Sequence, residues 1–333
     1  MLLIPHYVEH PFYSNPALHL LYISDENRVV PFQNAIEQVV SEGCCVAEIG
    51  AGCGILSRAA ARAGAKKVYA IEKEPEILRF AERVIISAGM QDSVSLIFGS
   101  SFSISLPEKV DVLIAEIIGG IGNDEGISSV IEDARGRFLK SGGAIIPKKI
   151  DVFICPVCAE EAYSQISSVY EKDLIVAPYE ARRPFKAYYE IIGMPPSELL
   201  SKPERLDAID LYGHTEIFFR RKFRFSVSRN ARFTGFAAWF VTELTGDVIL
   251  DTSPWAPPTC WGQSYFAIKH TVPVVRGDVI ELIFSAMHDK QAKRPYYVWE
   301  GTVNRKAGNK KPFYESNFQG EIEALEPEKR AIG

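Results

Sequence analysis

The chain has 333 residues, 47% hydrophobic and 24% charged, which suffices to bury a core and to form about two domains. A formal net charge of -5 leaves no basic footprint for a nucleic-acid ligand and tolerates a cationic substrate better than a polyanion. No apolar run reaches the ~18–20 residues that span a bilayer, and MLLIPHYVEHPF lacks the basic start of a secretory signal, so the expectation is a cytoplasmic protein without a membrane partner.

From residue 44 to residue 147, short apolar runs alternate with helical periodicity. CCVAEIG reads as a strand, and ILSRAAARAG as a helix that stops at Gly64. VYAIE is the next strand. PEILRFAERVIISAG follows as a helix, with Pro75 in its first turn, Gly89 past its end, and Ile77, Ala81, Val84, Ile85 and Ala88 at helical spacing. VSLIFG, VDVLIAE and GAIIP supply three further strands, with SSVIEDARGRFL as a helix before the last. Such alternation predicts a parallel sheet wrapped by helices.

After Pro147 the pattern changes. DVFICPV, HTEIFFRRKFRFSV, RFTGFAAWFVTEL, SYFAIKH, DVIELIFSA and YYVWEGTV are rich in β-branched and aromatic residues, as in an all-β domain. Between the first two, residues 159–212 carry the helical patches EEAYSQISSVYEK and SELLSKPERLDAIDLY and read as an inserted arm. The basic run in FFRRKFRF alternates with aromatics, which in a strand means one buried and one solvated face rather than a nucleic-acid platform. Cys155 and Cys158 form a CxxC pair without a second CxxC or a His pair, so buried thiols are expected rather than a metal site. The charged last residues read as a tail.

Two stretches carry chemistry. In EIGAGCGIL, Gly50, Gly52 and Gly54 sit between a strand and a helix, where glycine lets the backbone turn sharply and approach a ligand. The spacing is G-x-G-x-G with Ile55 next, a poor match to a dinucleotide fingerprint. Glu48 precedes this loop, and Glu72 ends the following strand, where a carboxylate accepts hydrogen bonds from ribose hydroxyls. In EIIGGIGNDE, Glu116 ends an apolar strand and Glu125 follows nine positions later, with Gly119 and Gly120 between. An acidic turn before a solvated helix start is the plain alternative for that stretch.

Read together, these segments resemble a class I methyltransferase that uses S-adenosylmethionine, and more narrowly the protein arginine methyltransferase family, from about residue 18 to residue 303. EIGAGCGILSRAAARAGAKKVYAIE is similar to the family's cofactor segment, VDVLIAEIIGGIGNDE to its double-glutamate loop and SSVIEDARGRFLKSGGAIIP to the helix and strand that follow. DENRVVPFQNAI resembles the segment that closes over the cofactor, and TSPWAPPTCWGQSYF the threonine-histidine-tryptophan loop of the barrel. The resemblance implies an α/β fold: a Rossmann-like domain of the seven-strand methyltransferase type, then an all-β barrel-like domain with a helical arm insertion. The implied divisions are an N-terminal helical segment over 1–40, the cofactor domain over 41–147, the barrel over 148–320 with its arm, and a tail over 321–333.

Carried over by position, the resemblance assigns Glu72 to the ribose and Gly50, Gly52 and Gly54 to the cofactor backbone, with Glu48 and Ser101 beside them. Arg28 would contact the cofactor's carboxylate, Glu116 and Glu125 would clamp a substrate guanidinium, and Tyr13, Tyr22 and Trp261 would wall the pocket. A homodimer through the arm is implied as well. The reaction expected is N-methylation of arginine in a protein or peptide; a small guanidine- or amine-bearing metabolite, or a weakly catalytic binding protein, are the alternatives. Two carboxylates suit this acceptor, because each takes two guanidinium N–H bonds and together they fix its plane.

Departures from the family pattern bear on the substrate. Ile117, Ile118, Gly119 and Gly120 stand where bulky residues are usual, which predicts a more open or differently shaped pocket. Cys260 replaces the barrel histidine that pairs with the aspartate at Asp25, so a His–Asp relay is missing. Tyr22 and Ile127 occupy positions of pocket methionines, GSSF at 99–102 lacks the usual acidic contact to adenine, and His19 is expected to pack or hydrogen-bond.

Overall fold

The computed structural model describes residues 2–6, 16–171, 188–288, 295–306 and 308–317. Tyr13, the middle of the expected arm at 172–187 and the tail at 321–333 lie outside the described residues. The chain opens with a strand, β1 (Leu2–His6), where a helical segment is expected, and continues into α1 (Pro16–Ser24) and α2 (Glu26–Val39). Asp25 starts α2 as its N-cap, its carboxylate accepting from the Arg28 amide at 3.2 Å.

The α/β part then runs β2 (Cys45–Ile49), α3 (Ile55–Arg62), β3 (Lys67–Glu72), α4 (Pro75–Ser87), β4 (Val94–Phe98), β5 (Val110–Ala115), α5 (Ile127–Arg137) and β6 (Leu139–Ile146). Its sheet is parallel, in the order β4-β3-β2-β5-β6. Among the described residues it holds five strands, and after Ile146 the chain passes into the second domain. Every residue of β2 is buried, so helices cover both faces of the sheet, which is why its strands are near-continuous apolar runs. The α4 helix shows the local logic: Pro75 opens it, Ile77, Ala81 and Ile85 are buried at four-residue spacing, and Gly89 follows its end at φ +66°.

The second part comprises β7 (Lys149–Val157), α6 (Glu160–Glu171), β8 (Tyr188–Ile192), β9 (Glu204–Asp210), β10 (Phe219–Ser226), β11 (Ala231–Glu243), β12 (Ile249–Asp251), β13 (Gln263–Val274), β14 (Val279–His288), β15 (Pro295–Asn304) and β16 (Lys310–Ser316). They form two antiparallel sheets: β1-β8-β13-β11-β7-β9 with β12 on β11, and β10-β14-β15-β16. Aromatic side chains lock the sheets together; Phe266 on β13 meets Phe284 on β14 edge-on, with centroids 5.1 Å apart at 87°. In β10 the residues of FRRKFRFS alternate between covered and exposed, as the sequence leads one to expect.

One expectation is corrected here. SELLSKPERLDAIDLY is no helical patch: a short turn at Pro196–Glu198 is followed by β9, which pairs with β7. Pro195, Pro196 and Pro203 deny a helix its amide donors, and Leu206 and Ile209 serve the strand's buried face instead. Strand β16, paired with β15, lies within the bounds expected for the barrel. Cys155 is fully buried in β7 and all six cysteines are free thiols.

Candidate active site

Sheet order reverses between β2 and β5, and ligands of open parallel sheets bind at the carboxyl ends of strands beside such a reversal. Ile49 lies beside Ile71 and Ala115 in register, so the residues that follow, Gly50, Glu72 and Glu116, leave three adjacent strands at one edge. Gly50, Gly52 and Gly54 have φ of 72°, 52° and 75°, left-handed values that glycine adopts without strain. Gly54 caps α3 with no side-chain hydrogen bond, leaving the first amides of that helix for a ligand.

The carboxylate of Glu72 is tied down by backbone amides, accepting from Gly52 at 2.8 Å and from Lys73 and Glu74 at 2.8 and 2.9 Å. It therefore braces the glycine loop from the neighbouring strand. Glu48 is 2% exposed and accepts from the Ser57 hydroxyl of α3; burial pushes its carboxyl up to about 8, against the pull of that hydrogen bond. Ser101 is buried in the turn beyond β4. The His19 ring stands 3.3 Å from where a Cβ on Gly52 would lie, so α1 roofs the loop. A tight glycine cradle, free helix amides and a strand-end carboxylate fit an adenosine-bearing cofactor such as S-adenosylmethionine.

The glutamate loop is a hairpin. Gly119 and Gly122 exchange backbone hydrogen bonds at 3.3 and 2.9 Å. The fold-back at this single bridge turns the chain between Glu116, three residues before Gly119, and Glu125, three residues after Gly122. The space beside these glycines is occupied by other side chains. The Asp124 carboxylate fills the place of a side chain at Gly119, and the Ser264 hydroxyl lies 2.6 Å from where a Cβ on Gly120 would stand. Ile209 and Val152 close on Gly122 in the same way, each at 3.0 Å. Ile117 packs against Gly50, joining this loop to the cofactor cradle.

Around Glu116 the pocket is already polarised. Arg28 forms an ion pair with Glu116, the two side chains being 16% and 9% exposed. The Arg28 guanidinium lies 4.8 Å from the Tyr22 ring centroid and 5.0 Å from that of Trp261, within cation–π range of both. Trp261 donates its indole N–H to the Ile118 carbonyl at 2.8 Å. Burial pushes the Tyr22 phenol up to about 12; Arg28 opposes this, and the charges of Glu125 and Glu190 add to it. Cys260 stands beside Arg28, with its amide donating to Asp25 at 2.7 Å. Burial pushes that thiol up to about 11, against the pull of Arg28, so the protonated thiol prevails at neutral pH.

Arg28 thus brings Glu116, Tyr22 and Trp261 together, the charge of Glu125 reaches Tyr22, and Gly50 and Glu72 leave adjacent strands at the same sheet edge; Glu48 accepts from Ser57 of α3. Sequence reasoning missed Asp124 and Tyr188, which hydrogen-bond to each other at 2.7 Å. Asp124 was visible beside Glu125, but Tyr188 has no local signature.

Fold and edge geometry together define a class I methyltransferase. The family model described as "Ribosomal protein L11 methyltransferase (PrmA)" matches residues 33–150, and "Arginine methyltransferase oligomerization subdomain" matches residues 160–298. Protein arginine N-methyltransferase 6 of Xenopus laevis is 30% identical over 287 residues, covering 80% of this chain and 84% of its own. The arginine N(omega)-methyltransferase of Streptomyces achromogenes subsp. streptozoticus is 27% identical over 276 residues, with 80% of this chain and 75% of its own covered. Among solved structures, the Trypanosoma brucei PRMT1 enzyme-prozyme heterotetrameric complex with AdoHcy superposes with a TM-score of 0.77 at 21% identity, over 91% of this chain and 99% of that one. The chain belongs to the protein arginine N-methyltransferase family, whose methyl donor is S-adenosylmethionine.

Proposed function

We propose that the protein methylates a guanidinium nitrogen of arginine in a protein or peptide, with Glu116 and Glu125 as the clamp that holds it. Bound S-adenosylmethionine supplies a sulfonium methyl group open to in-line attack. Guanidinium is a poor nucleophile, being protonated and delocalised. Two carboxylates on facing hairpin arms fix its plane by bidentate hydrogen bonds and draw its positive charge away from the attacking nitrogen. Such positioning contributes up to about 7–11 kcal/mol to lowering a barrier. Arg28 would take the cofactor's carboxylate, Glu72 its ribose and Ser101 the region of its adenine, while Tyr22 and Trp261 would wall the acceptor. The observation that supports the reading is the fold-back at Gly119–Gly122, which returns the chain between the two glutamates, together with the charge of Glu125 acting on the Tyr22 that flanks the Arg28–Glu116 pair.

Glu116→Gln and Glu125→Gln test it, assayed with methyl-labelled cofactor on arginine peptides. Each is expected to lower kcat by at least about a hundredfold, as removing one charge-stabilising group does, while cofactor affinity by calorimetry persists. Label transfer undiminished in both variants would refute the clamp. The similarity to the Streptomyces enzyme favours a second reading, in which free arginine or another small guanidine is the acceptor, and free arginine belongs in the same assay. Assembly as a homodimer and a cytoplasmic location are part of the proposal; the match of the oligomerization subdomain supports the first, and no described helix is long and apolar enough to cross a membrane.

A further inference from the structure

Asp124 is a third carboxylate of the hairpin, adjacent to Glu125 and 7% exposed. One of its oxygens accepts the Ile121 amide at 3.2 Å and the other accepts the Tyr188 hydroxyl at 2.7 Å. Its carboxylate also occupies the space that a side chain at Gly119 would need, so the two arms close over it. Tyr188 is the first residue of β8, is 1% exposed, stacks on Phe266 at 5.1 Å and meets Tyr297 edge-on at 6.0 Å. Strand β8 is itself held on both edges, by β1 and by β13. Burial first, and the charge of Asp124 next, hold the Tyr188 phenol well above its usual range, so it remains a donor.

We propose that Asp124 and Tyr188 are a positioning pair, which fastens the Glu125 arm of the hairpin to the antiparallel domain and so fixes where the Glu125 carboxylate faces. The pair acts through Glu125 and touches no reacting atom. The inference rests on the clamp reading of Glu116 and Glu125. It also accounts for the glycine at 119, where any side chain would displace the carboxylate that the tyrosine holds.

Tyr188→Phe keeps the packed ring and removes only the hydroxyl; Asp124→Asn leaves one acceptor where two donors point. In each, kcat/KM for an arginine peptide is expected to fall on the order of ten- to hundredfold, as loss of a hydrogen bond to a charged group implies, with cofactor Kd unchanged. The double variant is expected to lose no more than the worse single one, since both remove the same bond. Amide hydrogen exchange at Gly119 and Gly122 should quicken in both, while Val112 and Leu113 in β5 keep wild-type rates. Wild-type kcat/KM together with wild-type glycine exchange in Tyr188→Phe would overturn the proposal, as would strictly additive single effects. If Glu116→Gln and Glu125→Gln abolish transfer while Tyr188→Phe does not alter it, the positioning role alone fails. If the glutamine variants stay active, the clamp fails and the inference with it. The exchange measurement needs no acceptor and reads the tether directly.

Discussion

At Glu48 a buried carboxyl accepts a hydrogen bond from the Ser57 hydroxyl of α3. Its position under the glycine loop removes it from water, and burial outweighs the Ser57 hydrogen bond in setting its proton affinity. A carboxyl whose folded pKa lies above its unfolded one contributes stability that is complete below the unfolded value and is lost as pH rises through the folded value. For Glu48 the window runs from the ordinary 4.5 to about 8. Glu48→Gln is expected to flatten that decline, which denaturant melts between about pH 5 and 9 would reveal. A variant as pH-dependent as the wild type would move the effect to another group. Asp25 caps α2 and takes the Cys260 amide, so its carboxylate is held by two backbone donors.

Among the elements, the hairpin between β5 and α5 is where the reading from sequence both succeeds and stops. The fold-back was legible, because glycines between Glu116 and Glu125 admit a sharp reversal. What fills the space beside the glycines was not legible. Ser264, Ile209 and Val152 come from β13, β9 and β7, and no periodicity near residue 120 points to them. The mistaken helix at β9 has a similar cause, since Leu206 and Ile209 fall at a spacing that suits one face of a helix until β7 claims the backbone. Gly119→Ala therefore tests the hairpin more sharply than a change at its tip. The added methyl meets the Asp124 carboxylate, and overpacking of this kind costs about 1–3 kcal/mol. A lowered Tm with lost transfer and retained cofactor binding is expected; full activity would mean that the loop does not need this closure.

Over the whole molecule, the parallel domain was the more legible half, since each of its elements carries its own local signal, from Pro75 before α4 to the glycines after β2. The strand order of the antiparallel sheets depends on pairings far apart in sequence, such as β1 with β8, and the sequence offers no local sign of them. Those pairings matter for chemistry, because the second domain grips the hairpin on both arms: Trp261 holds the Ile118 carbonyl and Tyr188 holds Asp124. Trp261→Phe keeps the ring against Phe240 and removes the indole N–H. Acceptor kcat/KM is expected to fall about two- to tenfold, the range of one neutral hydrogen bond, with cofactor Kd unchanged. An equal fall in cofactor affinity would show that the barrel loop serves the donor side instead. For protein engineering the double grip sets a limit. A chimera that joins this cofactor domain to a relative's barrel would inherit both glutamates and yet leave their aim to foreign side chains, so acceptor choice should be exchanged by grafting Tyr188, Trp261 and residues 116–125 as one unit.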